Sequence, residues 1–345
     1  MFGFEIFGME LYQLLSFGRQ LGLSVAGAAS LWAMVFLYLA HNKKVEDSAG
    51  IFLTWIGLRM RWLVIGGGFM AFVMWSALTI ILPVSAHEGV TLVTNKEGVL
   101  SAMNLMTPLY ILIAGFSFFA LVQYKNPYIL FNSKRGVSWF YITTFVLSSI
   151  AISYYTDLRG LPANESFFHI FHGFHSLFTL GTVLCLDFMF LSTQNAPFVQ
   201  KHIFPLFPQI SKVIWVGLSL DLLSTLLIFP DAVALTPRFY FAQIVVGVLI
   251  INGILLSGII TRRILKNIKE GHIERSLRWE RFATIAGAIS ITSWLSITFV
   301  DHFHYMNISL DILFGLYILV ITTIIVGHEI WNKIDTRAEK LHIDM

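Results

Sequence analysis

Long apolar segments dominate this chain, and they leave it few ways to fold. A helix needs about 20 apolar residues to cross the hydrocarbon core of a bilayer. Stretches of that kind fall at roughly residues 18–40, 62–84, 104–124, 137–155, 170–192, 210–229, 239–261, 282–300 and 309–328. In hydrocarbon every backbone N–H and C=O must be satisfied inside the protein, so such segments are helices. The sequence therefore predicts an all-α, polytopic integral membrane helix bundle of about nine transmembrane helices. Composition agrees. The chain is 56% hydrophobic and 12% charged, whereas soluble domains carry about 25% charged residues. The opening run MFGFEIFGMELY is acidic and aromatic, unlike the basic start of a cleavable signal peptide. The first span is the expected insertion signal. Residues 1–12 read either as an amphipathic interfacial piece or as a leader to that span.

Charge sets the topology. Lys and Arg favour cytoplasmic loops, and here they alternate from one connection to the next. Of the 23 Lys and Arg, only Arg19, Lys96, Arg159 and Arg238 fall on the minority side. The seventh connection is the most basic, with Arg262, Arg263, Lys266, Lys269, Arg275, Arg278 and Arg281. The expected orientation has the N-terminus outside and the C-terminus in the cytoplasm, in a bacterial or archaeal plasma membrane. The basic residues are accounted for by topology, so no nucleic-acid partner is implied. Cys185 is the single cysteine, which excludes an intrachain disulfide, a thiolate metal site and a CxxCH haem attachment.

The spans also read as a tandem repeat of four helices followed by a ninth. Thr107-Pro108 opens the third span and Thr236-Pro237 the seventh, each with proline where a first helical turn accepts it. The fourth span ends at Asp157 and the eighth at Asp301. Four spans per copy would relate the two copies by an axis along the membrane normal. The resulting division is 1–160 for the first repeat, 161–305 for the second, and 306–345 for the ninth helix and its tail.

Histidines gather in the second copy. His169, His172 and His175 stand three apart in FHIFHGFHSLF, and His302 and His304 stand in VDHFHYM. The predicted topology puts all five on the outer side, with His87. Positions three apart on a helix are ~300° apart around its axis and ~4.5 Å along it, so the first three form one strip. Imidazole suits copper, zinc, iron or nickel. Two histidines from different helices would also ligate a b-type haem. His172 and His175, opposite His302 or His304, are the first-choice ligands for either group, with His169 and His87 as alternatives. Interfacial histidines that merely reach water are the competing account of the same residues.

Polar residues inside the spans form a second set of candidates. Asp221 lies near the middle of the sixth span, Asp187 in the fifth and Asn252 in the seventh. An ionisable group at such depth is costly and is read by default as functional. These residues suit a proton or ion path; a structural polar clamp between adjacent helices of the second copy is the competing account. Gly66, Gly67 and Gly68 lack the lysine of a phosphate loop and are expected to allow close helix packing.

Residues 165–305 resemble copper-resistance D-type and protoporphyrinogen-oxidase-like four-span bacterial membrane domains. The resemblance rests on His172 or His175 followed by Leu180-Gly181, on the run Ile210 to Leu218, and on the runs Val248 to Gly253 and Ile289 to Trp294. It implies copper handling or haem-linked redox chemistry. Three functional readings follow. The first is a redox-type membrane protein with haem or copper at the outer histidines, passing electrons to a quinone or another membrane redox subunit. The second is a cation or metal transporter that uses Asp221. The third is a non-catalytic membrane subunit of a larger complex.

Overall fold

The computed structural model describes residues 2–40, 59–87, 134–157, 178–189, 206–228, 236–270, 273–302 and 308–343, with single residues at 50, 54, 56, 57 and 171. Among them there is no strand. The helices are α1 (Phe2–Ala40), α2 (Arg61–His87), α3 (Lys134–Asp157), α4 (Phe178–Met189), α5 (Phe207–Ile228), α6 (Pro237–Gly253), α7 (Thr261–Lys269), α8 (Ile273–His302) and α9 (Leu310–Ile343). Five stretches are long and apolar enough to cross a membrane: Gln13–Ala40, Arg61–Leu78, Pro237–Asn267, Arg281–Val300 and Leu310–Gly327. They match the first, second, seventh, eighth and ninth expected spans. Helices α3, α4 and α5 overlap the fourth, fifth and sixth. The third expected span, 104–124, lies outside the described residues. Residues 2–12 continue the first span as one helix of 39 residues, roughly 58 Å long at ~1.5 Å per residue.

Contacts divide the chain into two compact units. Unit 1 holds residues 1–203 and 212–230, and unit 2 holds 204–211 and 231–345.

In unit 1, α1 is the central helix, and its sequence gives it two different faces. Gly18, Gly22, Ala26, Ala29 and Ala33 recur every three or four residues, which places them within an arc of roughly 80°. This small-residue face meets α2. A Cβ on Gly22 would sit 2.5 Å from the Gly67 carbonyl oxygen, and one on Gly67 would sit 2.6 Å from the Gly22 carbonyl oxygen. Each glycine also borders an alanine four residues along the other helix, Ala71 or Ala26. The two Gly-xxx-Ala pairs thus bring backbone onto backbone, the usual way membrane helices associate without a hydrophobic driving force. Gly18 faces Met74, so the two helices run antiparallel.

The rest of α1 is wrapped by α3 and α4. Gly27 borders Ser148 of α3, and Gly181 of α4 lies on the Ser24 carbonyl and Ala28. Trp32 donates from Nε1 to Thr182 Oγ1 at 3.3 Å. Helix α5 closes on α4 where Gly217 lies against Thr179. Tyr141 of α3 donates to the Gly57 carbonyl at 2.9 Å.

Unit 2 is built on α6. Thr236 caps it from an extended conformation, its hydroxyl accepting from Phe239 N, and Pro237 starts the first turn, where no N–H is needed. After Gly253 the helix widens into a π segment, Ile254–Ile260, before resuming as α7. Thr261 Oγ1 bonds the Leu256 carbonyl at 2.8 Å, five residues back, in keeping with the wider turn. Phe241 packs edge-on against Phe314 and Tyr317 of α9, with ring centroids 5.1 and 6.0 Å away. Ser293 of α8 and Tyr317 share a 2.7 Å hydrogen bond. Most of α9 is otherwise bare among the described residues: only 11% of Leu310–Gly327 is buried, and Ile312, Leu316, Leu319 and Val320 are exposed. An apolar surface of this kind is stable against lipid tails.

The α1–α2 contact gives a direct test. Gly22→Ala and Gly67→Ala should each destabilise the protein by roughly 1–3 kcal/mol, because a methyl group meets backbone that cannot move aside. A methyl group on Gly66 would meet nothing within 4 Å among the described residues, so Gly66→Ala should hold or gain up to about 1 kcal/mol through helix propensity. Thermal unfolding of the three variants in detergent compares them.

Candidate functional site

The outer histidines are only partly within the described structure. His169, His172, His175 and His304 lie outside the described residues. His87 is the last residue of α2 and His302 the last of α8; their backbones are described and their side chains are not. Among the described residues no three His, Cys, Asp or Glu side chains gather as a metal site would require.

Asn252 and the two aspartates are described. Asn252 is buried in α6, and its Nδ2 donates to the Ala286 carbonyl of α8 at 2.7 Å. It ties two helices of unit 2 together, immediately before the π segment. Asp187 and Asp221 belong to unit 1. Asp187 is half-buried on α4, and its Oδ2 meets no hydrogen-bond donor among the described residues. Asp221 is 5% exposed on α5, one helical turn beyond the Gly217–Thr179 contact. Its backbone carbonyl accepts from Ser224 Oγ at 2.9 Å.

Asp221 shares unit 1 with a group of polar residues on α1 that does not stand out in the sequence. Gln13, Ser16, Gln20 and Ser24 follow one another at steps of three, four and four, and with Gly27 they cover an arc of roughly 80°. That arc lies on the opposite side of α1 from the α2 contact, toward α3 and α4. All four are buried, and so is Arg19 at 6% exposure. Arg19 Nη2 donates to Ser16 Oγ at 3.4 Å. From α3, Thr144 and Ser148 bring two further buried hydroxyls, and Thr179 and Thr182 bring two from α4. The spacing itself is a sequence signal. It carries little weight there, because glutamine and serine near the start of a span look like ordinary interfacial residues until their burial is known.

The buried hydroxyls are satisfied in different ways. Ser30 bonds the Ala26 carbonyl at 2.8 Å, Thr144 the Phe140 carbonyl at 2.9 Å, and Thr298 the Trp294 carbonyl at 2.9 Å. Each uses the carbonyl four residues back, the standard recourse of a hydroxyl in a helix. Among the described residues Ser24 Oγ and Ser148 Oγ bond nothing, and neither do Oε1 and Nε2 of Gln13. Leaving a buried polar atom unsatisfied costs about 1–3 kcal/mol. The cost falls on Gln13, Ser24 and Ser148, on the side of α1 where Gly27 meets Ser148 and Gly181 meets Ser24, and also on Asp187 of α4 and, in unit 2, on Asn267 and Thr292.

Comparison with protein-family models, curated proteins and solved structures returns no match for this chain.

The bond made by Asn252 separates packing from function. Asn252→Leu should lower stability by about 1 kcal/mol, the usual scale of an interhelical hydrogen bond in a membrane. Thermal unfolding in detergent measures the loss, and an unchanged midpoint would show that the bond contributes nothing.

Proposed function

We propose that this integral membrane protein moves protons across the bilayer through unit 1, with Asp221 as the carboxylate that takes up and releases them. The observation that carries this reading is the near-complete burial of Asp221 in an apolar helix. A carboxylate held there is costly, and such residues mark ion or proton pathways. The buried charge of the unit favours a proton over a metal dication. Arg19 is a buried cation of the same unit, and like charge disfavours bringing in a divalent ion. The other buried polar groups of α1 are hydroxyls and amides.

The charge alternation along the sequence orients this path, with the N-terminal end of α1 outside. Helices α4 and α5 then run antiparallel. Counting from Thr179 and Gly217, Asp221 lies toward the outer face and Asp187 toward the cytoplasm, ~18 Å apart along the membrane normal. Two carboxylates at that separation suit successive stations of a relay and are too distant to share one proton.

A second reading rests on the histidines. His169, His172 and His175 at steps of three, with His302 ending α8, would hold copper or a b-type haem at the outer face, as the resemblance of residues 165–305 implies. Electron exchange with a quinone or a neighbouring redox subunit would follow. The imidazoles supply nitrogen ligands to either group.

Purified protein in pyranine-loaded vesicles should dissipate an imposed pH gradient, and Asp221→Asn should slow this at least tenfold. Asp311→Asn, in the first turn of α9, should leave the rate unchanged. Flux no faster than in protein-free vesicles would overturn the proton reading. A visible spectrum with and without dithionite tests the second reading: a Soret band that shifts on reduction and is lost in His172→Ala or His175→Ala identifies haem. Bound copper in stoichiometric amount without such a band identifies the metal.

A further inference from the structure

Unit 2 carries a set of cations that the described residues leave unpaired. Arg19, Arg59, Arg61, Lys212 and Arg238 each engage another group, and Lys266 pairs with Glu270 at 3.7 Å. Arg262 and Arg263 of α7 and Arg281 of α8 are exposed and make no ion pair, hydrogen bond or ring contact among the described residues. Topology gives a reason for basic residues at this end of the unit. It gives none for three that stand unpaired together.

Their depth is that of lipid headgroups. Arg238 and Arg262 are ~36 Å apart along the helix axis, more than the ~30 Å of hydrocarbon and less than the ~40–45 Å of the whole bilayer. Arg262 and Arg263 thus reach one headgroup layer when Arg238 reaches the other. The Asn252–Ala286 bond sets the register of α8, and three residues separate α7 from α8. Arg281 is ~8 Å from Ala286 and Arg262 ~15 Å from Asn252, both toward that connection, so the three arginines fall within ~9 Å along the axis. Trp279 packs against Phe282 there, with ring centroids 5.7 Å apart, and tryptophan favours this layer.

The surface that leads to the two α7 arginines suits a lipid chain. Leu255 and Ile259 precede Arg263 at steps of four, and both are exposed. Ile254 and Gly258 precede Arg262 in the same way. Ile254 is exposed, and a Cβ on Gly258 would meet nothing within 4 Å among the described residues. Gly258 therefore leaves a notch between aliphatic neighbours. An α-helix completes a turn in 3.6 residues, so a step of four overshoots; the wider π turn takes up the excess and keeps both rows along the axis. Gly66 of α2 is equally open, but Arg61 near it lies over the Trp62 ring at 5.5 Å.

We propose that unit 2 holds an anionic glycerophospholipid here, with an acyl chain in the Gly258 notch and the phosphate against Arg262 and Arg263. Arg281 adds charge at the same level. Guanidinium groups bind phosphate through paired N–H donors, and basic sites between membrane helices take anionic headgroups. A soluble anion would gain nothing from the aliphatic rows. The proposal goes beyond the proton reading and needs nothing from Asp221, which belongs to unit 1.

Native mass spectrometry of the full chain in neutral detergent tests it. Dioleoyl phosphatidylglycerol should bind at least tenfold more tightly than dioleoyl phosphatidylcholine, which has the same chains and no net charge. Arg262→Gln with Arg263→Gln should abolish that preference. Gly258→Leu keeps every charge and should weaken phosphatidylglycerol binding at least fivefold by filling the notch. Arg61→Gln should change neither. Equal affinity for the two lipids overturns the proposal, as does a double variant that keeps the preference or a Gly258→Leu variant of unchanged affinity. Glycerol 3-phosphate that competes as well as the lipid would assign the arginines to a soluble anion and overturn it too. The unsubstituted protein guards against variants that misfold. Phosphatidylglycerol with a diazirine in its acyl chain should crosslink within Ile254–Ile260 several times more than the phosphatidylcholine analogue, and equal labelling overturns the site.

Discussion

Unit 1 depends on the contact between Gly22 and Gly67. With no side chain on either residue, α1 and α2 approach until each glycine borders the other's carbonyl oxygen. Membrane helices gain nothing by hiding apolar surface from one another, since lipid is as apolar as they are; close packing has to supply the attraction. The glycine–alanine face of α1 supplies it on one side. That leaves the other side of the same helix to carry glutamine, serine and an adjacent arginine, wrapped by α3 and α4 and kept from lipid.

The two units use polar groups differently. In unit 2 two buried polar contacts are ties between helices, Asn252 to the Ala286 carbonyl and Ser293 to Tyr317, while Asn267 Nδ2 and Thr292 Oγ1 bond nothing among the described residues. Each tie joins two helices with one bond. In unit 1 buried polar groups share one side of α1, some of them without bonds among the described residues, in the same unit as a buried arginine and a buried aspartate. Ties of the first kind fix helices in place. Unit 1 is the site of the proposed activity because it holds Asp221, the nearly fully buried carboxylate on which that reading rests.

Much of the fold is legible in the sequence. Hydrophobic length locates α1, α2, α6, α8 and α9, and the glycine run at 66–68 points to close packing, which falls to Gly67 in particular. Thr236-Pro237 marks the start of α6. The π segment is not legible, since Ile254 to Ile260 carries the same aliphatic residues as an ordinary span, and the wide turn registers only in hydrogen bonds such as that of Thr261. The burial of Asp221 follows from its position in a span. The burial of Gln13 and Ser24 does not, because whether they face lipid headgroups or a helix interior depends on α3 and α4, which are more than a hundred residues away. The histidine strip stays a pattern of the sequence: His169, His172, His175 and His304 lie outside the described residues.

The burial of α1 on both faces also bears on how the protein is made. Gln13, Arg19 and Ser24 leave the ribosome long before α3, α4 and α5 exist. At ~5–20 residues per second, the interval between residue 13 and residue 221 is on the order of ten to forty seconds. For the part of it before α3 is made, a helix whose polar side is destined for the interior has α2, on its other side, as its partner among the described helices. A helix of this composition is poorly suited to lie alone in lipid, so its assembly calls for retention at the insertion machinery, or shelter by a chaperone, until the later helices arrive.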